Sequence, residues 1–372
     1  MSRARTLFAL SMLVSTGIAA EPRLNQIQVI GTHNSYHIAP HAELMNLMSL
    51  TSKNLVQGLD YSHKPLAEQF SSQRIRQVEL DVFADPDGGL FADPSFRKTL
   101  KALGKNPGPD PNREDVLRKP GLKVLHVQDM DYQTTASTFM IALQQIREWS
   151  KAHPRHVPIM ILVEVKAEAV AGLPTIPRPF DQAALDDVDV EINSVFTRAE
   201  IFTPDDLRGE LLTLPQAIKE RGWPGLDSVR GKVMFGLDNE GAIRDLYLQG
   251  HEALAGRRMF VTAASIDHPA AAWFKINDPI KDFDRIQDAV ARGFIVRTRA
   301  DADTRQARAN DPTQRDKALA SGAQFVSTDY PEHRAEFSPY HVKLPQNAVA
   351  RANPVSGNNL NPKLDLEAAI AN

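Results

Sequence analysis

The chain of 372 residues contains no cysteine, which excludes disulfide bonds, thiolate metal sites and cysteine nucleophiles. It also lacks a block of basic residues, and a formal net charge of −3 does not favour nucleic acid as a partner. No apolar run is long enough to span a bilayer. Hydrophobic residues nevertheless make up 42% of the chain, which is enough for the large core of a globular protein.

The amino-terminal segment has the pattern of an export signal. Two basic residues, Arg3 and Arg5, precede an apolar run over residues 7–18, and two alanines follow. This order is typical of a cleaved signal peptide. We therefore predict that residues 1–20 are removed and that the mature protein is secreted or periplasmic.

Strand-like and helix-like segments alternate along the rest of the chain. Apolar runs predict eight strands, at residues 27–30, 77–82, 123–126, 158–165, 232–237, 259–262, 294–298 and 324–327. Apolar residues at helical spacing predict helices between most of these strands. This alternation implies a parallel sheet, and eight repeats favour a closed TIM-like (β/α)8 barrel. The other fold considered, a doubly wound open sheet, would carry a glycine-rich phosphate fingerprint that this sequence lacks.

Three segments do not follow the alternation. Residues 85–121, rich in Pro, Gly and Asp, predict a loop insertion after the second strand with little regular structure. The tail, residues 341–372, is expected to pack loosely, so the barrel domain is predicted to span residues 21–340. A short predicted helix at residues 42–49 is rich in Leu and Met. This helix would either cover the core or form an apolar lip at a membrane surface. The apolar residues in and just after it are Leu44, Met45, Leu47, Met48 and Leu50.

Polar side chains lie at the carboxyl ends of the first predicted strands, where parallel α/β folds keep their chemistry. The first strand ends at His33 and Asn34, just after Gly31. The second carries Glu79 and Asp81 at alternate positions, so the two carboxylates share one face. Packing two acids against apolar helices would be costly, so we expect them to face the barrel lumen. There they would repel each other unless a cation lay between them.

The next two predicted strands add His126 and Glu164. The side chains with oxygen donors at this end of the barrel are then Asn34, Glu79, Asp81 and Glu164. A set made only of oxygen donors selects a hard cation, calcium or magnesium, over zinc. Two histidines beside such a cation suit phosphodiester chemistry, because one can accept the proton of an attacking hydroxyl and the other can protonate the leaving oxygen.

Each of these features also has an ordinary structural interpretation. A histidine at a strand end is often simply hydrogen-bonded, two alternating acids often form a solvated edge, and Glu164 could form an ion pair with Lys166. Their joint occurrence on four consecutive strands favours chemistry over these separate interpretations.

The motifs Gly31-Thr-His33-Asn34-Ser and Glu79-x-Asp81, followed by His126 and Glu164, resemble the X-region of calcium-dependent phosphoinositide-specific phospholipase C. Within that family, the chain is more similar to the secreted bacterial branch. The last strand, which leads into Thr328-Asp329-Tyr330-Pro, is similar to the closing strand of the wider barrel superfamily that includes glycerophosphodiester phosphodiesterases. The resemblance covers residues 25 to 336.

The resemblance implies roles for these residues. His33 and His126 would be the catalytic pair, and calcium would be held by Asn34, Glu79, Asp81 and Glu164. The 2-hydroxyl of the inositol would attack phosphorus and release diacylglycerol and a cyclic inositol phosphate, with either Glu79 or a histidine as the base.

Residues that bind the substrate are expected near other strand ends. Lys166, Arg297 and Arg299 are candidates to hold phosphate oxygens, and Asp238 is a candidate to accept hydrogen bonds from inositol hydroxyls.

Two further functions are considered. A glycerophosphodiester phosphodiesterase would carry an early His-Arg-Gly where this chain has Thr32-His33-Asn34. A secreted protein that binds inositol phosphates or calcium without turnover would have no need of two histidines that flank the site. We therefore predict a secreted calcium-dependent phosphodiesterase that acts on phosphatidylinositol or a related inositol phosphodiester.

Overall fold

The protein is represented by a computed structural model that describes residues 21–369, so the predicted signal peptide, residues 1–20, lies outside the described residues. The described part contains ten β-strands: β1 (Ile27–Thr32), β2 (Gln77–Phe83), β3 (Lys123–Val124), β4 (Ile159–Val165), β5 (Val233–Leu237), β6 (Met259–Val261), β7 (Trp273–Lys275), β8 (Ile295–Arg299), β9 (Phe325–Thr328) and β10 (Ala350–Ala352). Its α-helices are α1 (Ala42–Ser49), α2 (Lys53–Gly58), α3 (Leu66–Ser71), α4 (Ser95–Ala102), α5 (Phe139–Ala152), α6 (Gln182–Val195), α7 (Pro204–Arg208), α8 (Leu214–Glu220), α9 (Leu226–Val229), α10 (Gly241–Leu248), α11 (Phe283–Ala291), α12 (Arg305–Ala309) and α13 (Thr313–Ala320).

Eight of the strands form a parallel barrel. They are hydrogen-bonded in the order β6-β5-β4-β2-β1-β9-β8-β7. A single parallel bridge between Thr262 and Trp273 joins the two ends of this order, so the barrel is nearly closed. The TIM-like (β/α)8 fold expected from the alternating pattern is therefore confirmed.

The identity of one barrel strand differs from the prediction. The segment predicted as the third strand, residues 123–126, supplies only the two-residue β3, which pairs antiparallel with the end of β2. The eighth parallel strand is β7, which was not predicted. It has three residues and follows three alanines, Ala270–Ala272, so neither its length nor its composition is typical of a strand.

The core occupies the barrel lumen and the layer between strands and helices. β4 illustrates why its sequence is almost uniformly apolar, because residues 159–163 are fully buried between the lumen on one side and helices on the other. Helix α5 turns Leu143 and Ile146 onto this sheet, and the Thr138 hydroxyl caps the helix by accepting a hydrogen bond from the Ile141 backbone amide. No helix within residues 21–369 has the length and apolarity needed to cross a membrane.

The insertion after β2 has the predicted place but more regular structure than expected, because it contains α4. Two sets of buried polar contacts anchor it. Lys123 Nζ lies 3.2 Å from the Asp85 carboxylate, with both side chains almost completely buried. The Asp129 carboxylate accepts hydrogen bonds from the backbone amides of Ser95, at the start of α4, and of Thr175.

The expectation that the tail packs loosely is wrong for the part that the structure describes. β10 adds to β1 as an antiparallel neighbour, with Ile27 opposite Ala352. Leu366 is buried, and the Glu367 carboxylate pairs with the buried Arg76 guanidinium. The tail supplies apolar side chains and backbone hydrogen bonds to the barrel, which its Pro- and Asn-rich composition does not reveal.

Candidate active site

Three carboxylates meet at the carboxyl ends of β2 and β4. Glu79 and Asp81 alternate on one face of β2, and the register of the parallel pair sets Asp81 directly opposite Glu164. One carboxylate oxygen from each of the three residues lies within 4.8 Å of the others. The sequence predicted this juxtaposition from strand periodicity, and the structure brings the three groups together.

The carboxylate cluster carries more negative charge than the neighbouring cations neutralise. Burial, together with neighbouring carboxylates, raises the pKa of Glu79 and of Asp81 to about 8. The Lys166 ammonium lies 3.3 Å from both Asp81 and Glu164, yet both Asp81 oxygens are buried and make no hydrogen bond. Unpaired buried oxygens of this kind are unfavourable unless a further cation satisfies them.

Asn34 also presents an unpaired oxygen. Its backbone is in the left-handed region, with φ at 43°, and its side-chain amide donates a hydrogen bond to the Tyr61 hydroxyl at 3.1 Å. The amide oxygen is buried without a partner. Ser35 fixes this segment beside Glu79, because the Ser35 amide donates to the Glu79 carbonyl and the Glu79 amide donates to the Ser35 hydroxyl. Orphaned oxygens on Asn34 and Asp81 fit a hard cation such as calcium.

His33 is held by a carboxylate and an arginine. Its Nδ1 lies 2.9 Å from Asp329, and its Nε2 lies 3.2 Å from a guanidinium nitrogen of Arg299. Since an arginine can only donate, Nε2 must carry the lone pair, and Nδ1 then carries the proton. Burial, reinforced by the Arg299 charge, lowers the pKa of His33 to about 3, in agreement with a neutral ring. The same Nε2 lies 3.7 Å from Glu79.

His126 is held in the same way by a second aspartate. Its Nδ1 lies 2.7 Å from Asp131, which is five residues further along the chain and fully buried. A tight turn brings Asp131 back, because its carbonyl accepts hydrogen bonds from the amides of His126 and Val127. A third histidine, His37, contacts the same carboxylate from the other side.

Two cavities open beside these groups. The first, of about 530 Å³, is lined by both His33 and His126 and also by Arg299 and Asp329. The second, of about 370 Å³, is lined by His126, Glu164 and Lys166. His126 thus stands between the two cavities, and both predicted catalytic histidines face the first.

The predicted substrate-binding residues differ in their access to these cavities. Arg299 lines the first cavity and Lys166 lines the second. Arg297 is 1% exposed and is bound to Glu79 at 2.5 Å, to Ser327 and to Asn277, so its guanidinium is already engaged. Asp238 lines neither cavity, since its carboxylate pairs with Lys275 at 2.7 Å.

The prediction did not include the carboxylate partners of the histidines. Asp329 directly follows β9, the last barrel strand, and Asp131 follows His126 by five residues. Asp129, which also follows His126, binds the backbone amides of Ser95 and Thr175 instead of a histidine. The signal was present in both cases, because an aspartate shortly after a strand that ends near a histidine is a candidate partner for its ring.

A parallel barrel with two aspartate-paired histidines and a set of hard oxygen donors at one rim has the groups that metal-assisted acid–base catalysis requires. Sequence comparison then gives the particular family. Residues 22–354 match the model of the family described as "Phosphoinositide phospholipase C, Ca2+-dependent", and the chain belongs to this family. Members of this family are calcium-dependent phosphodiesterases. A search among curated proteins found no match.

Bacterial enzymes are among the solved structures that this chain resembles. The chain is similar to the apo form of the calcium-dependent phosphoinositol-specific phospholipase C from a Gram-negative Pseudomonas species, with 14% identity, 91% of this chain and 97% of that chain covered, and a TM-score of 0.53. A myo-inositol complex of that enzyme gives 15% identity, 90% and 96% coverage and a TM-score of 0.53. The enzyme from Streptomyces antibioticus gives 17% identity, 83% and 95% coverage and a TM-score of 0.47.

Proposed function

We propose that this protein cleaves phosphatidylinositol, or a closely related inositol phosphodiester, by attack of the inositol 2-hydroxyl on phosphorus. The products are diacylglycerol and a cyclic inositol phosphate. The observation that carries the proposal is the pair of histidines, His33 and His126, each bound to its own aspartate and both facing one cavity beside the carboxylate cluster. Two proton-transfer groups suit this reaction, since one hydroxyl is deprotonated while another oxygen leaves.

We assign the base to His33. Its Nε2 holds a lone pair, which accepts from Arg299 until the inositol hydroxyl takes that place, and Asp329 on the opposite nitrogen stabilises the ring when it takes up a proton. Glu79, the other candidate base, has one oxygen committed to Arg297 at 2.5 Å. That contact leaves the second oxygen of Glu79 for a cation rather than for proton transfer.

His126 is then the acid. Its Nδ1 is bound to Asp131, so Nε2 is the nitrogen that is free to face the cavities. A proton on Nε2 can pass to the glycerol oxygen as the bond from phosphorus to that oxygen breaks. Because His126 lines both cavities, we infer that the inositol occupies one of them and the departing diacylglycerol the other.

The residues that would hold calcium are Asn34, Glu79, Asp81 and Glu164. The bound ion would neutralise charge on the phosphoryl oxygens and lower the pKa of the attacking hydroxyl. Arg297, which is buried and bound to Glu79, would orient that carboxylate within this set rather than contact the substrate. Lys166 is paired with two of the carboxylates and Arg299 bonds to His33 and Asp329, but each also lines a cavity and can contact phosphate oxygens from there.

The first cavity suits the polar part of the substrate. Arg299 and Asp329 offer donors and acceptors that inositol hydroxyls can use, and the Arg305–Asp303 ion pair adds a further donor and acceptor to the lining. The myo-inositol complex of the Pseudomonas enzyme, which shares this fold, supports an inositol ligand.

The proposed action on a lipid includes contact with a membrane surface after export directed by residues 1–20. Leu50, at the end of α1, is 83% exposed, and Leu55 of α2 is 42% exposed and lines the first cavity. Exposed leucines beside the entrance can enter the lipid headgroup region. Replacing both by serine should weaken binding to phosphatidylinositol vesicles, whereas Leu212→Ser, which changes an equally exposed leucine outside both cavities, should not. Equal binding of both variants would exclude this surface.

The test of the reaction is phosphorus NMR of the products formed from phosphatidylinositol, with calcium and with chelator. We expect calcium-dependent formation of a cyclic phosphate, which is abolished in His33→Ala and in His126→Ala. His341→Ala, which removes an exposed histidine whose ring bonds only to a backbone carbonyl, is the matched control and should keep full activity. Full turnover in chelator, or turnover in both active-site variants, would contradict the proposal.

A further inference from the structure

A third histidine lies behind the proposed acid. The His37 side chain is completely buried, and its Nε2 contacts both oxygens of Asp131, at 2.9 and 3.0 Å. Asp131 contacts His126 Nδ1 with one of the same oxygens, at 2.7 Å. A single carboxylate thus joins the ring of His37 to the ring that faces the cavities.

The His37 ring is fixed on all sides. Its backbone amide donates to the Asn34 carbonyl, and its neighbour Ile38 pairs with the backbone just beyond Asp131. The ring stacks on Tyr61 with centroids 4.3 Å apart, and its Nδ1 lies 3.1 Å from the Tyr61 carbonyl. Because both ring nitrogens face oxygen acceptors, the ring donates hydrogen bonds from both.

These contacts determine the orientation of Asp131. Held by His126 alone, the carboxylate would be free to rotate about its terminal bond. His37 binds both oxygens at once and so fixes the plane of the carboxylate, which in turn fixes the plane of the His126 ring. Burial by itself would raise the pKa of Asp131, but His37 and His126 outweigh it and lower this pKa to about 2, so the carboxylate is ionised and accepts from both rings.

We propose that His37 is a positioning residue, which acts through Asp131 to aim His126 Nε2 at the departing oxygen. The importance of His126 as an acid rests on the proposed function, whereas the coupling of the two rings rests on geometry alone. The same three side chains could instead hold a transition metal, because their ligand atoms lie within 4.8 Å of one another. The hydrogen-bonding interpretation and the metal interpretation differ in a measurable way.

Two variants separate the contacts of His37. An asparagine can place its amide near the position of Nδ1 and keep the hydrogen bond to Tyr61, but it loses the contact with Asp131. A glutamine can place its amide near the position of Nε2 and keep the donor to Asp131. We expect His37→Asn to lower kcat about 10- to 100-fold with little change in KM, and His37→Gln to recover most of that loss.

The choice of leaving group distinguishes a role in proton donation from a purely structural role, because a structural defect would lower kcat equally for all substrates. An inositol phosphodiester of 4-nitrophenol needs little protonation of its leaving oxygen, whereas phosphatidylinositol needs a great deal. The loss of kcat in His37→Asn should therefore be several-fold smaller with the 4-nitrophenyl substrate. Equal losses with both substrates, or equal losses in the asparagine and glutamine variants, would overturn the proposal.

Histidine nitrogen NMR tests the coupling without any substrate. In the wild type, we expect a proton on His37 Nε2 and a slowly exchanging proton on His126 Nδ1, and the latter should persist in His37→Gln but exchange at least about tenfold faster in His37→Asn. An unprotonated His37 Nε2, or an equimolar transition metal in the purified protein, would refute the inference. A wild type that is inactive on both substrates would contradict the proposed function, and the NMR result would still decide the role of His37.

Discussion

Asp81→Asn provides a direct test of whether the carboxylate cluster is built for a cation. The substitution keeps the shape of the side chain and removes one negative charge from a group whose two oxygens are buried without hydrogen bonds. In the calcium-free protein, this charge destabilises the folded state, because burial and the neighbouring Glu164 raise the pKa of Asp81 from 3.8 to about 8. The variant should therefore be more stable than the wild type in chelator and less responsive to calcium.

The magnitude follows from this shift in pKa. A carboxyl whose pKa is higher in the folded state than in the unfolded chain loses stability as the pH rises from about 4 to about 8, since the unfolded chain ionises first. At one pKa unit per 1.36 kcal/mol, the loss at pH 7 is at most about 4 kcal/mol, and it is shared with Glu79. We expect Asp81→Asn to gain on the order of 2 kcal/mol at pH 7 in chelator and nothing at pH 4.

The assay is thermal unfolding at both pH values, with chelator and with calcium. The wild type should gain stability when calcium is added, because the ion binds only the folded state, and Asp81→Asn should lose most of that gain. Asp129→Asn is the matched control, since Asp129 is also buried but has both oxygens bound by backbone amides. It should lose stability and keep the full calcium effect. A destabilised Asp81→Asn with an unchanged response to calcium would refute the reasoning.

Three further substitutions test other parts of the structure. Asp329→Asn should lower kcat about 10²- to 10⁴-fold in steady-state kinetics, because His33 loses its ionised partner; a loss below tenfold would argue against His33 as the base. Arg297→Met should weaken calcium binding about 10- to 100-fold by titration calorimetry, because Glu79 loses the partner that orients it; unchanged affinity would contradict this. Lys123→Met should cost about 3–5 kcal/mol in urea unfolding, because it leaves a buried carboxylate unpaired; a cost under 1 kcal/mol would show that the insertion is anchored elsewhere.

Local patterns in the sequence were enough for much of the fold. The strands predicted at residues 27–30, 77–82, 158–165 and 232–237 each correspond to a barrel strand, and α1 begins and ends as predicted. The two strands that were assigned wrongly are short. A short segment such as β3 or β7 joins the barrel only if a barrel strand lies beside it. Which strands become neighbours is set by closure of the whole sheet, and the two or three residues of the segment itself do not determine it.

The same distinction applies to the site. Strand alternation places Glu79 and Asp81 on one face, and Glu164 ends another predicted strand, so the sequence was sufficient to predict that the three share one rim. The register that sets Asp81 directly opposite Glu164 came only from the structure. Arg297 has a strand-end position as suggestive as that of Arg299, yet one guanidinium is buried against Glu79 and the other faces a cavity. Their positions in the sequence could not show which of the two arginines faces a cavity.

The chain by itself determined which chemical groups reach the rim, because side-chain direction in a strand follows from a local two-residue repeat. Only the tertiary structure decided which groups pair there. Asp329 is 296 residues from His33, and His37 reaches Asp131 across 94 residues, so these hydrogen bonds form only when the barrel closes. Such contacts depend on distances set by the whole sheet, so a local pattern can suggest the aspartates as candidates but cannot say which histidine each one pairs with.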